Sequence, residues 1–229
     1  MVYRKKRKSE KVGRIRLVIF DVDGTLVNAY AAVARSVNFL MDTLGLPHVR
    51  KKDIIAAVGW GEHHLLAQFI PAASLDKAVA LYRLHHADSL RRNSSLLPGA
   101  RHLLKSLKKK GCILAIASNR SMRFTRLLLR ILGIAGYFDC ILCRDKVANP
   151  KPHPEILLKI MRRLHISRQE TIFVGDMTVD IEAGKRAGVR TVAVTTGSSS
   201  RRSLKALKPW RIIHALDQVL SLFDEDIVR

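Results

Sequence analysis

Hydrophobic positions along the chain follow two periods, one typical of buried strands and one typical of amphipathic helices. Short apolar runs rich in β-branched residues predict strands of a parallel sheet, and they cover residues 15–20, 112–117, 139–143, 171–174 and 190–194. Apolar residues that recur every three or four positions predict helices, and these cover residues 29–44, 53–70, 74–92, 98–110, 121–132, 154–165, 178–187 and 214–223, with a loop over 198–203. From residue 97 onward strand and helix alternate, which predicts βαβ units.

One long segment interrupts this alternation. After the first strand, which ends at residue 20, the next strand begins only at residue 112, and residues 28–95 of the intervening segment have a helical pattern. A helical domain inserted into an α/β fold explains this segment better than one long crossover connection does. We therefore predict a parallel-sheet core built from residues 15–27 and 96–229, an all-helical cap domain over residues 28–95, and a basic, disordered tail over residues 1–14.

Three of the predicted strands are followed by polar side chains. These are Asp21 and Asp23 after the first strand, Ser118 and Asn119 after the strand at 112–117, and Asp176 after the strand at 171–174, with Asp180 one helical turn later. Right-handed crossovers bring the carboxyl ends of parallel strands to one edge of the sheet, so these groups should meet there. Lys151 lies in a loop that we place beside the same edge.

This set of residues predicts a phosphate site that contains a divalent cation. Two carboxylates two residues apart repel each other and lose hydration on burial. A hard cation bound between them, such as Mg²⁺, offsets both of these costs. Asp21 is then the candidate nucleophile, while Asp23 can reach the leaving-group oxygen as an acid and later activate water as a base. Asp176 completes the Mg²⁺ ligands, and Asp180 is a further ligand or supports one.

The remaining candidates bind the phosphate group. Gly24 permits a close backbone approach to a ligand, and we assign it and Thr25 to substrate binding. Ser118 and Asn119 can donate hydrogen bonds to phosphoryl oxygens, and Lys151 offsets their negative charge. Hydrolysis of a phosphate monoester needs up to ~10²¹-fold acceleration, so electrostatic stabilisation by the metal and the lysine must supplement the nucleophile.

The order and rough spacing of these residues resemble the four motifs of the haloacid dehalogenase superfamily. The motifs are Asp21-Val-Asp-Gly-Thr-Leu, Ser118-Asn119, Lys151-Pro152 and Gly175-Asp176-x-x-x-Asp180. The resemblance covers about residues 15–225, and it implies a Rossmann-like core, a helical cap after the first motif, Mg²⁺ and an aspartyl-phosphate intermediate. It also implies that Asp21 is nucleophile and metal ligand, that Asp23 binds the metal through its carbonyl and acts as acid and base, and that Asp176 is a ligand.

Within this superfamily the chain resembles the phosphoglycolate phosphatases. The similarity lies in Val37-Asn38-Phe39-Leu40, Leu44-Gly-Leu-Pro47, Val58-Gly59-Trp60-Gly61, Leu97-Pro98-Gly99 and Gly188. It implies a small anionic phosphorylated metabolite as substrate, with phosphoglycolate as the favoured one. Asn28 and Ala29 stand where the family often has Asp-Ser, and this departure, at the predicted hinge into the cap, bears on the substrate more than on the chemistry.

Composition and charge add information about environment and partners. The chain has 229 residues and a net charge of +22, with a dense basic run at residues 4–8. It has no stretch of ~20 apolar residues, so we expect no membrane span. Its three cysteines cannot all pair, which agrees with a reducing compartment, and we expect buried thiols in a cytoplasmic protein.

Several alternatives stay open at this point. A pyrophosphatase, a nucleotide or sugar-phosphate phosphatase, or a phosphomutase needs only a different leaving group on the same core. A nucleic-acid-binding protein is the alternative from another class, because the basic tail suits a phosphate backbone. Few aromatic residues interleave with the basic ones, which disfavours this alternative.

Two further questions stay open. The side chain of Arg120 could contact a substrate carboxylate or be solvated. Both a monomer and a homodimer agree with the sequence.

Overall fold

The computed structural model describes residues 14–223. The tail predicted over residues 1–14 therefore lies outside the described residues, apart from Arg14, and so does the end of the predicted core, residues 224–229. Within the described part of the chain, no helix combines the length and the apolar character needed to cross a membrane.

Six parallel strands form the central sheet, and two short antiparallel strands lie apart from it. In chain order the strands are β1 (Leu17–Phe20), β2 (Val27–Asn28), β3 (Ser95–Leu96), β4 (Ile113–Ser118), β5 (Cys140–Cys143), β6 (Thr171–Gly175), β7 (Arg190–Val194) and β8 (Arg211–Ile213). The order in the sheet is β5-β4-β1-β6-β7-β8, so the direction in which strands are added reverses between β1 and β6. Open α/β sheets bind ligands at such a reversal, outside the carboxyl ends of the strands.

Helices cover both faces of this sheet. In chain order the α-helices of residues 14–223 are α1 (Tyr30–Thr43), α2 (Lys51–Ala57), α3 (Glu62–Ala67), α4 (Leu75–Asn93), α5 (Ala100–Lys109), α6 (Met122–Ile131), α7 (Glu155–Leu164), α8 (Thr178–Ala187), α9 (Arg201–Ala206) and α10 (Gln218–Ser221). Successive side chains of a strand point to opposite faces, so Val18 and Phe20 pack with α5 and α6, whereas Leu17 and Ile19 pack with α7 and α8. The predicted α/β, Rossmann-like fold class is confirmed.

Helices α1 to α4 form a cap that is inserted between β2 and β3. The buried members of its own apolar cluster include Val37, Leu40, Ile54, Leu66 and Tyr82. Strand β2 pairs with β3, so the chain leaves the core and returns to it at one place. The inserted all-helical cap is therefore confirmed, while its division from the core at residues 28 and 95 stays a prediction.

Three predicted elements differ from the structure. The helix predicted over 53–70 is divided into α2 and α3, because Gly59 and Gly61 adopt left-handed φ angles of 117° and 88° between them. The loop predicted over 198–203 ends at Ser200, whose side chain accepts a hydrogen bond from the N–H of Ser203 and caps α9. The helix predicted over 214–223 contains only the single turn α10, and β8 precedes it. A strand of three residues is too short to show a period, which is why the sequence pattern does not predict β8.

Candidate active site

Two aspartates lie where the strand order reverses. Asp21 directly follows β1, and Asp176 directly follows β6, its neighbour in the sheet. Asp180 lies in the first turn of α8. One carboxylate oxygen from each of these three buried residues lies within 4.8 Å of the other two. We name these three aspartates, together with Lys151, the carboxylate cluster.

Lys151 neutralises part of the negative charge from the loop between β5 and α7. Its Nζ donates hydrogen bonds to Asp21 Oδ1 at 2.8 Å, to Asp180 Oδ1 at 2.7 Å and to the carbonyl of Ala117 at 2.8 Å. An ammonium group has three N–H bonds, so each of them has a partner inside the protein. Because only 1% of the residue is exposed, Lys151 is held in place by the core and cannot turn toward another group without losing a partner.

Burial and mutual repulsion shift the pKa values in this cluster. Burial raises the pKa of Asp21 to about 7, although the ammonium of Lys151 opposes the shift. Burial, together with the charges of Asp180 and Asp21, raises the pKa of Asp176 well above its usual value. Burial alone would lower the pKa of Lys151, but the charges of Asp180 and Asp21 outweigh it and raise that pKa. The buried carboxyl groups therefore favour their protonated forms, and a bound cation would stabilise the ionised forms instead.

Neighbouring loops hold the carboxylates in place. The hydroxyl of Thr25 donates to Asp176 Oδ1 at 2.9 Å, and the N–H of Ser198 donates to Asp176 Oδ2 at 3.1 Å. The N–H of Met177 donates to Asp180 Oδ2 at 2.9 Å. Thr25 is fully buried, so its position suits the support of Asp176 better than the substrate contact that the sequence predicts for it.

Two glycines allow the chain to pass close to Asp176. Gly24 has a φ of 79°, and a Cβ at this position would overlap the carboxylate of Asp176 and the hydroxyl of Tyr30. A Cβ at Gly197 would overlap the same carboxylate. Gly24 therefore makes its close approach to Asp176, and the substrate contact predicted for it stays a prediction.

Ser118 and Asn119 lie at the end of β4, beside the cluster. Asn119 Nδ2 donates to the carbonyls of Lys151 and Gly59, both at 2.9 Å, and its Oδ1 accepts from the N–H of Lys151 at 3.0 Å. Asn119 therefore fixes the loop that carries Lys151 and ties it to the cap. The hydroxyl oxygen of Ser118 accepts from the N–H of Arg120 at 3.2 Å.

The side chain of Asp23 lies apart from the carboxylate cluster and binds an arginine. Arg120 Nε donates to Asp23 Oδ2 and Arg120 Nη2 donates to Asp23 Oδ1, both at 2.8 Å, which makes a bidentate ion pair. The two side chains are only 10% and 15% exposed. Arg120 Nη1 also lies 2.8 Å from Nε2 of His86, on cap helix α4. The sequence left two environments open for the Arg120 side chain, a substrate carboxylate or solvent. The solvated alternative is wrong, because the residue is buried between Asp23 and the cap.

A cavity of about 610 Å³, counted to its open mouth, lies between the core and the cap. The space inside it that is open to water-sized molecules is about 60 Å³, which favours a small ligand. The core lines it mainly with polar residues, namely Asp21, Asp23, Ser118, Asn119, Arg120 and Lys151. The cap lines it with the apolar residues Val33, Val58, Leu65 and Tyr82, which we name the cap wall, and also with Gly59, Gly61, Glu62 and His86.

Two parts of the site were not predicted from the sequence. One of them, the loop after β7, could have been predicted, whereas the other, His86, could not. Strand β7 is followed by the polar residues Thr195 and Thr196, so the rule applied to the other strand ends would have pointed to this loop, which also contains Gly197 and Ser198. His86 has no local signal, because its place in the site depends on which face of α4 meets the core.

Comparison with known proteins decides the family. Residues 18–194 match the family model described as haloacid dehalogenase-like hydrolase. The chain belongs to this family. The membership expected from the four motifs is confirmed, and it makes the protein an enzyme of the hydrolase class.

Other haloacid dehalogenase-like hydrolases resemble the chain over most of its length. A phosphoglycolate phosphatase of Aquifex aeolicus (strain VF5) is 31% identical over 183 residues, which cover 80% of this chain and 86% of the relative. A probable phosphatase, IndB, of Dickeya dadantii (strain 3937) is 33% identical over 215 residues, 89% and 91% of the two chains. The crystal structure of a predicted phosphoglycolate phosphatase from Haemophilus somnus 129PT superposes with a TM-score of 0.86 at 25% identity, covering 92% of this chain and 98% of that one.

Proposed function

We propose that the protein is a Mg²⁺-dependent phosphatase that hydrolyses a small phosphomonoester through an aspartyl-phosphate intermediate. The observation that carries this proposal is the carboxylate cluster at the strand reversal, in which Asp21 faces the cavity while Lys151 and the other two aspartates surround it. Phosphoglycolate is the favoured substrate, because two kinds of support agree: the motifs of the sequence and the activity for which the Aquifex relative is named.

The donor set fits a hard divalent cation. Carboxylate oxygens of Asp21, Asp176 and Asp180 converge within 4.8 Å, and oxygen ligands are those that Mg²⁺ prefers. Asp180 Oδ1 already accepts from the ammonium of Lys151, whereas among the described residues the oxygens of Asp176 accept only from the neutral donors Thr25 and Ser198, so Asp180 suits a supporting role better than a direct one. Asp21, Asp176 and the backbone carbonyl of Asp23 are then the proposed ligands, and the bound ion would polarise the phosphoryl oxygens.

Asp21 is the proposed nucleophile. Its Oδ1 accepts from Lys151, whereas its Oδ2 accepts no hydrogen bond from any described residue. Oδ2 forms a bond to phosphorus as the ester P–O bond breaks, and Asp23 gives a proton to the leaving oxygen. Water then attacks phosphorus and gives a proton to Asp23, the aspartyl P–O bond breaks, and inorganic phosphate leaves. Ser118 and Lys151 stabilise negative charge near the phosphoryl group.

The cap limits the size of the substrate. The cavity is closed on one side by the cap wall, and Asn119 ties the cap loop to the core through the carbonyl of Gly59. This favours a small leaving group over a nucleotide or a nucleic acid. We also propose a reducing, cytoplasmic environment, because Cys112, Cys140 and Cys143 are unpaired and buried.

Phosphate release tests this proposal. Wild type, Asp21→Asn and the surface control Asp42→Asn are assayed on a panel of phosphomonoesters and pyrophosphate, with and without Mg²⁺. We expect turnover that needs Mg²⁺, falls at least about 10³-fold in Asp21→Asn and stays unchanged in the control. Turnover that survives in Asp21→Asn, or that needs no metal, would contradict the proposal. Preference for pyrophosphate, a nucleotide or a sugar phosphate would instead select one of the alternative leaving groups.

A further inference from the structure

Two basic side chains, Lys151 and Arg120, line the cavity among its described residues. The three N–H bonds of Lys151 are all donated within the core, so Lys151 has none left for the part of a substrate beyond the phosphate. Arg120 is therefore the basic group that can bind a negative charge on the leaving group.

Arg120 retains unused donors in spite of its burial. A guanidinium group has five N–H bonds, and Arg120 uses three of them, two for Asp23 and one for His86. One N–H on Nη1 and one on Nη2 thus have no acceptor among the described residues. A carboxylate presents two oxygens that match such a pair of donors.

His86 holds Arg120 from the cap side. The hydroxyl of Ser36 donates to the carbonyl of Ala32 at 2.9 Å, so the Ser36 oxygen accepts from His86 Nδ1, also at 2.9 Å. Nε2 of His86 is then the acceptor for Arg120 Nη1. Burial, and next the charge of Arg120, lowers the pKa of His86 to about 2, so the ring is neutral and suited to accept. The aromatic ring of Tyr82 stacks on it at a centroid distance of 4.6 Å, and Phe124 meets it edge-on at 5.0 Å.

We propose that Arg120, positioned by His86, determines specificity by binding a carboxylate on the leaving group of the substrate. The proposal rests on the proposed phosphatase function and names the residue that selects its substrate. Because the same guanidinium binds Asp23, which serves the leaving oxygen, the carboxylate must lie near the ester bond. Leaving groups with one or two carbons between the ester oxygen and the carboxylate fit this restriction.

The competing interpretation is that Arg120 only orients Asp23. Loss of Arg120 would then slow every phosphomonoester to the same extent, since Asp23 acts on all of them. Recognition of a carboxylate predicts a selective loss instead. A pair of substrates that differ in the carboxylate alone separates the two effects, whatever the common loss is.

The experiment compares kcat/KM for 2-phosphoglycolate with kcat/KM for 2-hydroxyethyl phosphate, which replaces the carboxylate by an uncharged CH₂OH group. The variants are Arg120→Met and Arg120→Lys. Arg126→Met is the control for lost charge, since Arg126 is an exposed arginine in α6. We expect the wild-type preference for 2-phosphoglycolate to fall about 10²-fold in Arg120→Met, to fall less in Arg120→Lys, and to be unchanged in Arg126→Met.

His86 supplies a second and independent arm. His86→Leu removes the acceptor, and we expect the same preference to fall about tenfold, whereas His86→Gln keeps an acceptor and a donor and should restore most of it. Thermal unfolding of each variant shows whether it is folded. A wild-type preference near one, or a preference that Arg120→Met leaves unchanged while both rates fall together, would overturn the proposal and leave the phosphatase function standing. Failure of wild type on both substrates and on the whole panel would overturn the proposed function itself.

Discussion

The carboxylate cluster and the cap wall face each other across one cavity, and they are built in different ways. In the cluster nearly every polar atom is bound by another part of the core, as the three hydrogen bonds of Lys151 show. The cap wall meets the cavity through apolar side chains such as Val33 and Leu65, which have no directional partner to lose.

Because of this difference, the catalytic chemistry and the choice of substrate depend on different regions of the molecule. A substitution in the cluster leaves buried charges without partners, so its cost spreads through the network. A substitution in the cap wall changes the shape of the cavity and little else, so the cap can vary with the substrate while the core stays the same. Arg120 and His86 join the two regions, since one belongs to the core and the other to the cap.

The largest effect is expected from Lys151→Met, which tests whether the cluster is one coupled unit. The change removes the cation from three buried carboxyl groups, so we expect turnover to fall about 10³-fold and the free energy of unfolding to fall by about 3–5 kcal/mol. The loss of stability should be larger at pH 8 than at pH 5, because the unpaired carboxyl groups can protonate at the lower pH. Steady-state kinetics and urea unfolding at the two pH values measure both.

Lys159→Met is the matched control for that substitution. Lys159 lies in α7, and its ion pair with Glu155 at 2.7 Å is partly exposed, so its removal should cost far less stability than the removal of Lys151 and should leave turnover unchanged. An equal cost for both lysines would show that the cluster is no more coupled than the surface.

A smaller effect is expected from pH on metal binding. The pKa of Asp21 is about 7, so this carboxyl group is mostly protonated at pH 6 and must lose its proton when a cation binds. The apparent dissociation constant for Mg²⁺ should therefore decrease at least about tenfold from pH 6 to pH 8, because Asp176, whose pKa is raised as well, must also be ionised to bind the cation. Titration calorimetry in buffers of different ionisation enthalpy should detect release of about one proton or more at pH 6, and the number released should decrease as the pH rises. Equal affinity at pH 6 and pH 8 would contradict the raised pKa.

The carboxylate cluster could be predicted from the sequence because strand ends are visible in it. Asp21 and Asp176 each follow a short apolar run, and the crossover rule then places them at one edge without knowledge of any contact. Lys151 could be placed only beside that edge, since a loop has no period from which its path can be read.

The link between Asp23, Arg120 and His86 could not be predicted, although Asp23 and Arg120 each follow a predicted strand. Its contact with the cap depends on how α4 is rotated over the core. Helical periodicity shows that a face is apolar but not which neighbour it meets. The cap side of the site is therefore where sequence reasoning stops.

The smallest effect is expected from Gly61→Ala, in the loop that precedes α3. Gly61 has a φ of 88°, and a Cβ there would overlap the guanidinium of Arg144, which donates to the carbonyl of Trp60. We expect a loss of about 1 kcal/mol in stability and a rise of about two- to threefold in KM with little change in kcat, because the loop contributes to binding but not to the chemical step.

Two other glycines separate the causes of that effect. Gly45 has a φ of 67° but open space around it, and Gly136 has open space and no left-handed φ. Gly45→Ala should therefore show the cost of the backbone angle alone, with KM unchanged, and Gly136→Ala should be neutral or slightly stabilising. If KM rises only in Gly61→Ala, the position of the cap loop relative to the core contributes to substrate binding. If kcat falls in Gly61→Ala as far as it does in Lys151→Met, the cap takes part in the chemistry, and the separation between the carboxylate cluster and the cap wall is wrong.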